Sequence, residues 1–100
     1  MIGISLRPQA ESDLVQIWQF TAELFGETQA NDYLDHLANG IEQLSEHPLL
    51  GTNCDHIIPG YRRLVLGKHS VFYTSNASQI TIVRVLHQDM DVRNHFQEER

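Results

Sequence analysis

One hundred residues, 41% of them hydrophobic, with a net charge of −6, make a chain long enough for one core and too short for two, since a domain of this size buries roughly 60–70% of its unfolded surface. The acidic balance excludes a general polyanion-binding shell, whose affinity comes from Lys and Arg neutralising phosphates, so no direct nucleic-acid binding is expected. The single cysteine, Cys54, excludes an internal disulfide; with no run near the ~20 apolar residues of a membrane span and no signal-peptide pattern at Met1 to Arg7, a soluble cytoplasmic protein without membrane contact is expected.

The chain opens with Ile2, Ile4 and Leu6 alternating with Gly3, Ser5 and Arg7, the period of a half-buried strand. Pro8 ends that strand and suits the first turn of a helix, where no backbone N–H is needed. From Gln9 onward Leu14, Ile17, Trp18, Thr21 and Phe25 recur three and four residues apart, with Glu11 and Asp13 in the first turns, where the helix dipole favours anions. Gly26 closes this helix. A second helix is predicted from Glu27 to His47, with Ala30, Leu34, Leu37, Ile41 and Leu44 as its apolar stripe and Pro48 as its stop. So short a break predicts an antiparallel helical hairpin. Each apolar side chain contributes roughly 1.5–3 kcal/mol on burial, so the two stripes require a common partner surface.

That surface follows in the sequence. A loop from Leu49 through Asn53, Cys54, Asp55 and Pro59 leads to three predicted strands, Tyr61 to Leu66, His69 to Ser75 and Gln79 to His87. The breaks at Gly67-Lys68 and at Asn76-Ala77-Ser78 are short enough for hairpins, so the strands form an antiparallel meander. Cys54 reads as an inert small residue of the loop. Asp91 to Phe96 is read as one helical turn, and residues 97–100 as a frayed tail. The order strand, helix, helix, strand, strand, strand defines an α+β domain over residues 1–100, with the helical hairpin on one face of a mostly antiparallel sheet and the other face available. Alternation along the last strand places Val83 and Val85 under the helices and Arg84 on the open face.

Charge is divided unevenly along this order. Residues 1–61 hold nine Asp/Glu against the single Arg7, a balance of −8, and residues 62–100 hold six Lys/Arg against four Asp/Glu, a balance of +2. Four of the seven cations, Arg62, Arg63, Lys68 and Arg84, lie on the predicted meander, which points to a localised binding surface. The acids of the two helices are spread around them and read as solvated faces. His87, Asp89 and Asp91 alternate near His69 but fall at a strand end, where the aspartates suit a turn or a helix cap better than a metal, so neither metal nor cofactor is expected.

With these elements in place, the chain resembles the ParE branch of the RelE/ParE superfamily, the toxins of bacterial type II toxin–antitoxin pairs. The resemblance rests on Arg7-Pro8-Gln9-Ala10-Glu11-Ser12-Asp13-Leu14 with Ile17-Trp18, Pro48-Leu49-Leu50-Gly51, Ile58-Pro59-Gly60-Tyr61-Arg62-Arg63, Gly67-Lys68-His69-Ser70-Val71-Phe72-Tyr73 and Arg84-Val85-Leu86-His87-Gln88-Asp89-Met90-Asp91, and it covers nearly the whole chain. It implies a toxin that acts on DNA gyrase by binding rather than by catalysis, neutralised by a ParD-like antitoxin whose C-terminal segment folds over the toxin. That segment is expected to lie as an amphipathic helix across the hairpin and to add a strand to a free sheet edge. For the target, the expected contacts are Arg62, Arg63, Arg84, His87, Met90 and Asp91. Phe20, off the main stripe, and Tyr33 are the expected antitoxin contacts, while Trp18, Phe25 and Tyr33 lie on or beside the apolar stripes.

Two alternatives accompany this reading. The RelE-like branch of the same fold cleaves mRNA on the ribosome, which requires an acid, a base and cations around the phosphate. Arg62, Arg63, Arg84, His69, His87 and Tyr73 are candidates, but residues 8–61 carry no Lys or Arg, which disfavours docking on RNA. The other alternative is an inactive ParE-like module kept for antitoxin binding or co-repression.

Overall fold

The structure is a computed structural model that describes residues 2–89. Met90, Asp91, the helical turn expected at 91–96 and the tail 97–100 lie outside the described residues. The elements are β1 (Gly3–Leu6), α1 (Pro8–Phe25), α2 (Glu27–Glu42), a 3-10 turn at Gln43–Ser45, β2 (Thr52–Asn53), β3 (Arg62–Leu66), β4 (His69–Ser75) and β5 (Gln79–His87). Pro8 occupies the first turn of α1, and the helix ladder begins with Glu11 N–H donating to the Arg7 carbonyl at 3.0 Å. Gly26 ends one helix and begins the next: its N–H donates to Ala22 O at 2.9 Å while its carbonyl accepts from Ala30 N–H at 3.1 Å. It does so at φ 94°, ψ 164°, a conformation open essentially to glycine alone.

The second helix is shorter than its pattern predicts. Regular α structure stops at Glu42, and the last turn tightens into 3-10 geometry, with Glu46 N–H on Gln43 O at 3.2 Å. The tightened turn anchors the N-terminus. Ser45 Oγ donates to Ile2 O at 2.6 Å, and Ile2 N–H donates to Ser45 O at 3.2 Å.

The strands form one five-stranded sheet in the order β1-β5-β4-β3-β2. β1 lies parallel to β5, with Ile4 opposite Ile80 and Leu6 opposite Ile82, and the other three pairs are antiparallel. The meander of β3, β4 and β5 is as expected; β2 is an addition, two residues of the expected loop that pair with Arg62 and Arg63. Against the helices the sheet buries Val71, Tyr73, Ile80, Ile82 and Val85, packed with Leu37, Ile41 and Leu44 of the second helix and its 3-10 extension. Among the described residues, no helix is long and apolar enough to cross a membrane.

The face expectation for β5 holds for Val85 and fails for Val83 and Arg84. Phe72 of β4 is opposite Arg84, but the next residue, Tyr73, is opposite Ile82, so Val83 is an extra residue that bulges the strand. Beyond a bulge the alternation changes phase. Ile80, Ile82 and Val85 therefore share the helix side, whereas Val83 joins Phe72, Leu86 and Cys54 in a second cluster on the other face. Nor is that face wholly available. The loop between β2 and β3 folds onto it through Ile57, Ile58 and Tyr61, stitched by Cys54 N–H on Tyr61 O at 2.9 Å. Cys54 is thus a buried packing residue, and burial pushes its thiol pKa up. At the near end of that loop Asp55 accepts from Gly60 N–H and Asn53, which lower its carboxyl pKa.

Candidate functional site

Helix α1 runs eighteen residues, and its C-terminal half borders the site. Only Ala10 and Ile17 of α1 are fully buried. One turn beyond Ile17, Phe20 is 64% exposed, and at the end of the helix Phe25 is 62% exposed. The exposure of Phe20 agrees with its place off the stripe, but Phe25, expected in the core, is not there. It is the last residue of α1 and borders the groove. Trp18 is half-buried, and its Nε1–H donates to Asn31 Oδ1 of α2 at 2.8 Å, tying the hairpin together.

Between the hairpin and the ends of β4 and β5 lies a groove of about 1050 Å³ with mostly apolar walls. Ile17, Phe20 and Phe25 line it from α1, Tyr33 and His36 from α2, and His69 and Arg84 to His87 from the sheet. Tyr33 and His36, one turn apart, project from the same face of α2.

At one end, Asp13 of α1 holds β5. Its carboxylate accepts from Arg84 Nε at 2.8 Å and from a terminal guanidinium nitrogen at 3.0 Å, and the oxygen facing Nε also accepts from Val85 N–H at 2.9 Å. The side chains of Arg84 and Asp13 are 14% and 11% exposed. The expectation that Arg84 lies on the open face is corrected accordingly: it is turned to α1 and lines the groove. A charge-assisted bidentate pair of this kind fixes both partners.

At the other end stands a cluster of rings. Tyr33 Oη and His69 Nδ1 are hydrogen-bonded at 2.6 Å, and Lys68 N–H donates to the same phenolic oxygen at 3.1 Å. Gly67 makes this approach feasible: at φ 58° its Cα lies so close to the Tyr33 hydroxyl that a Cβ would sit 2.9 Å from the oxygen. The imidazoles of His69 and His87 meet edge to face with centroids 5.4 Å apart. Burial, with the neighbouring His87 second, lowers the pKa of His69. His87 Nδ1 accepts from Asp89 N–H at 3.2 Å.

The remaining candidates lie elsewhere. Arg62 donates to Gly51 O at 2.6 Å, and Arg63 Nε donates to Ser70 Oγ at 2.8 Å with its guanidinium 5.9 Å from the Phe72 ring centre. Adjacent in β3, the two arginines serve opposite faces, as strand geometry requires. Tyr73 is fully buried; its hydroxyl donates to Pro48 O at 2.8 Å and accepts from Gly51 N–H at 2.9 Å, and burial raises its pKa. It acts as the pin of the Pro48-to-Gly51 turn and takes no part in the site. Among the described residues, no cluster of three or more His, Cys, Asp or Glu has metal-binding geometry. The groove therefore unites Phe20, Tyr33, Arg84 and His87 of the expected residues, and leaves Arg62 and Arg63 outside it. Sequence reasoning missed Phe25, Lys68 and Asp13 as parts of it. Asp13 carried a signal only as a first-turn acid, which does not specify a partner in a strand seventy residues away.

A helical hairpin packed on one face of a mixed sheet, with an apolar groove open beside it, defines a small α+β binding module of the RelE/ParE-like fold. The family described as ParE toxin of type II toxin-antitoxin system, parDE, matches residues 4–92. The chain is 43% identical over 88 residues to Toxin ParE1 of Mycobacterium tuberculosis, spanning 87% of this chain and 90% of the relative. It is 40% identical over 91 residues to Toxin ParE1 of Caulobacter vibrioides, spanning 91% and 94%. Its fold is similar to that of a chain in the chromosomal ParDE toxin–antitoxin system from P. aeruginosa (TM-score 0.78, 21% identity, 87% of this chain and 96% of the other). A chain of the RelBE2 toxin–antitoxin complex from Mycobacterium tuberculosis is also similar (TM-score 0.68, 18% identity, 87% and 98%). This chain belongs to the ParE toxin family of type II toxin–antitoxin systems.

Proposed function

We propose that this toxin acts in the bacterial cytoplasm by binding DNA gyrase, without catalysis, and that a ParD-like antitoxin neutralises it by seating an amphipathic segment in the groove between the hairpin and β5. The observation that carries the antitoxin reading is the groove itself, an apolar trough bordered by two phenylalanines exposed by more than 60%. Exposed aromatic side chains of this kind incur a hydration cost in the free chain and serve as anchors in a complex.

The state of the sheet arginines supports binding over RNA cleavage. Arg62 is bonded to a backbone carbonyl, Arg84 to Asp13, and Arg63 to Ser70, so phosphate stabilisation by these three would have to break structural contacts, and among the described Lys and Arg residues Lys68 alone is exposed in the groove. Tyr73 is buried and engaged twice. For the target we retain Arg63, His87 and the segment from Met90 to Asp91 as contacts, with Arg62 and Arg84 acting through the backbone and α1 that they hold in place. Gyrase as target rests on membership of the ParE family.

The test is induced expression with and without the neighbouring antitoxin, following DNA and protein synthesis separately, together with supercoiling by purified gyrase. Early replication arrest and loss of supercoiling are expected. Early translation arrest with cut mRNA would overturn the reading in favour of a nuclease, and tight antitoxin binding without growth inhibition would leave an inactive module.

A further inference from the structure

The ring cluster at the far end of the groove has a composition unlike the rest of it. Lys68, the chain's one lysine, stands there exposed, and its ammonium has no ion-pair partner among the described residues. Beside it, His69 and His87 each have Nδ1 engaged, by Tyr33 and by Asp89 N–H respectively. Each ring therefore retains Nε2 for a further partner, and a His87 that accepts at Nδ1 while neutral carries its proton on Nε2. An apolar occupant alone would bury these donors without replacing the water that serves them, at a cost in free energy. An acceptor carrying negative charge satisfies all three groups together.

We propose that the Lys68–His69–His87 corner receives a carboxylate from an Asp or Glu at the polar edge of the antitoxin segment whose apolar face lies on Phe20 and Phe25. This deepens the antitoxin reading above and rests on it. Among the described residues, the charged and titratable groups lining the groove around the corner are few. From α1 comes Asp13, already held by Arg84 of β5; from α2 come Asp32, Tyr33 and His36; and beyond β5 comes Asp89, whose carboxylate is 3.6 Å from His87 Nδ1 but 85% exposed. Asp89 is thus a weak resident counter-ion, screened by water, and leaves the corner receptive. A carboxylate bound there stabilises the imidazolium forms, His87 giving up the Asp89 N–H as Nδ1 gains a proton, so the complex takes up protons as it forms in the range where imidazoles titrate. Affinity consequently rises as pH falls.

The experiment is calorimetric titration of the full chain with the ribbon–helix–helix antitoxin of the adjacent reading frame at pH 8, 7 and 6. Wild type is expected to tighten about three- to tenfold between pH 8 and pH 6. His87→Gln with Lys68→Gln is expected to weaken binding and flatten that dependence, with the far-ultraviolet spectrum and melting temperature reporting that the variant remains folded. Asp89→Asn is expected to preserve the dependence. Tight binding that does not vary with pH, or a dependence lost in Asp89→Asn, overturns the carboxylate contact while leaving the antitoxin reading intact. Absence of a complex at every pH overturns both.

Discussion

Replacing Asp13 with alanine removes three hydrogen bonds at once, two from the Arg84 guanidinium and one from Val85 N–H. Breaking a buried ion pair by deleting one partner costs roughly 3–5 kcal/mol. Here the side chains are 11–14% exposed, so water reaches part of the freed guanidinium and the expected loss falls to about 2–4 kcal/mol, including the orphaned backbone N–H. In urea unfolding each kcal/mol moves the midpoint by about 0.3–1 M for a protein of this size. A double-mutant cycle of Asp13→Ala with Arg84→Ala should return a coupling of about 2 kcal/mol. Asp13→Asn, which can keep the bond to Val85, should be less damaging than Asp13→Ala. A change below about 0.5 kcal/mol, or a coupling near zero, would show that the pair is no clamp and would refute this account of how α1 is held to β5. Because Arg84 is held by Asp13, any loss of toxicity in Arg84→Ala accompanies a loss of stability, and only a variant matched in stability isolates target contact.

Gly26→Ala places a side chain at a φ of 94°, where space is open but the backbone is strained, so thermal unfolding should report a loss of about 1–3 kcal/mol. Tyr73→Phe leaves Pro48 O and Gly51 N–H without the hydroxyl that serves both, and chemical denaturation should show a loss of about 1–3 kcal/mol. Because burial lowers the pKa of His69 in the folded chain, the unfolded chain binds its proton more readily. The contribution is therefore complete above the ordinary imidazole pKa and is lost as pH falls from there toward the depressed folded value; His69→Gln should flatten the stability profile over that window. Phe20→Asp, at a side chain already 64% exposed, should change stability by less than about 0.5 kcal/mol yet abolish antitoxin capture, which a pull-down and a melting curve separate.

Much of this architecture is legible along the chain. The bounds of β4 and β5, the break at Gly26 and the start of α1 at Pro8 coincide with the pattern, because glycine, proline and strand alternation act locally. The misreadings lie where a distant partner decides. The bulge at Val83 is a property of the pairing of two strands, and the residues of β5 viewed alone alternate without any sign of it. β2 is strand only because Arg62 and Arg63 lie opposite it. Phe25 fits the helical period, but periodicity does not tell whether the face it marks is covered at the end of a helix. The groove was foreshadowed by Phe20 and Tyr33, while its charged ends, Asp13 with Arg84 and Lys68 with the two imidazoles, are products of long-range closure.

The bulge has a consequence for insertions and deletions. Counted through Ile82, Arg84, Val85, Leu86 and His87, β5 without Val83 is an ordinary alternating strand with Ile82, Val85 and His87 still facing the helices. Deleting Val83 should keep Ile82 and Val85 on the helix side but be destabilising, since it removes a buried side chain of the second cluster and turns Arg84 from Asp13 toward Phe72 and Leu86, whereas deleting Ile82 or Val85 removes a side chain of the main core. The extra residue thus changes the aim of Arg84. An arginine between two inward-facing neighbours would point away from α1 in a regular strand; in the bulged strand it reaches Asp13. One inserted residue thereby converts an outward strand position into a fastening between two layers.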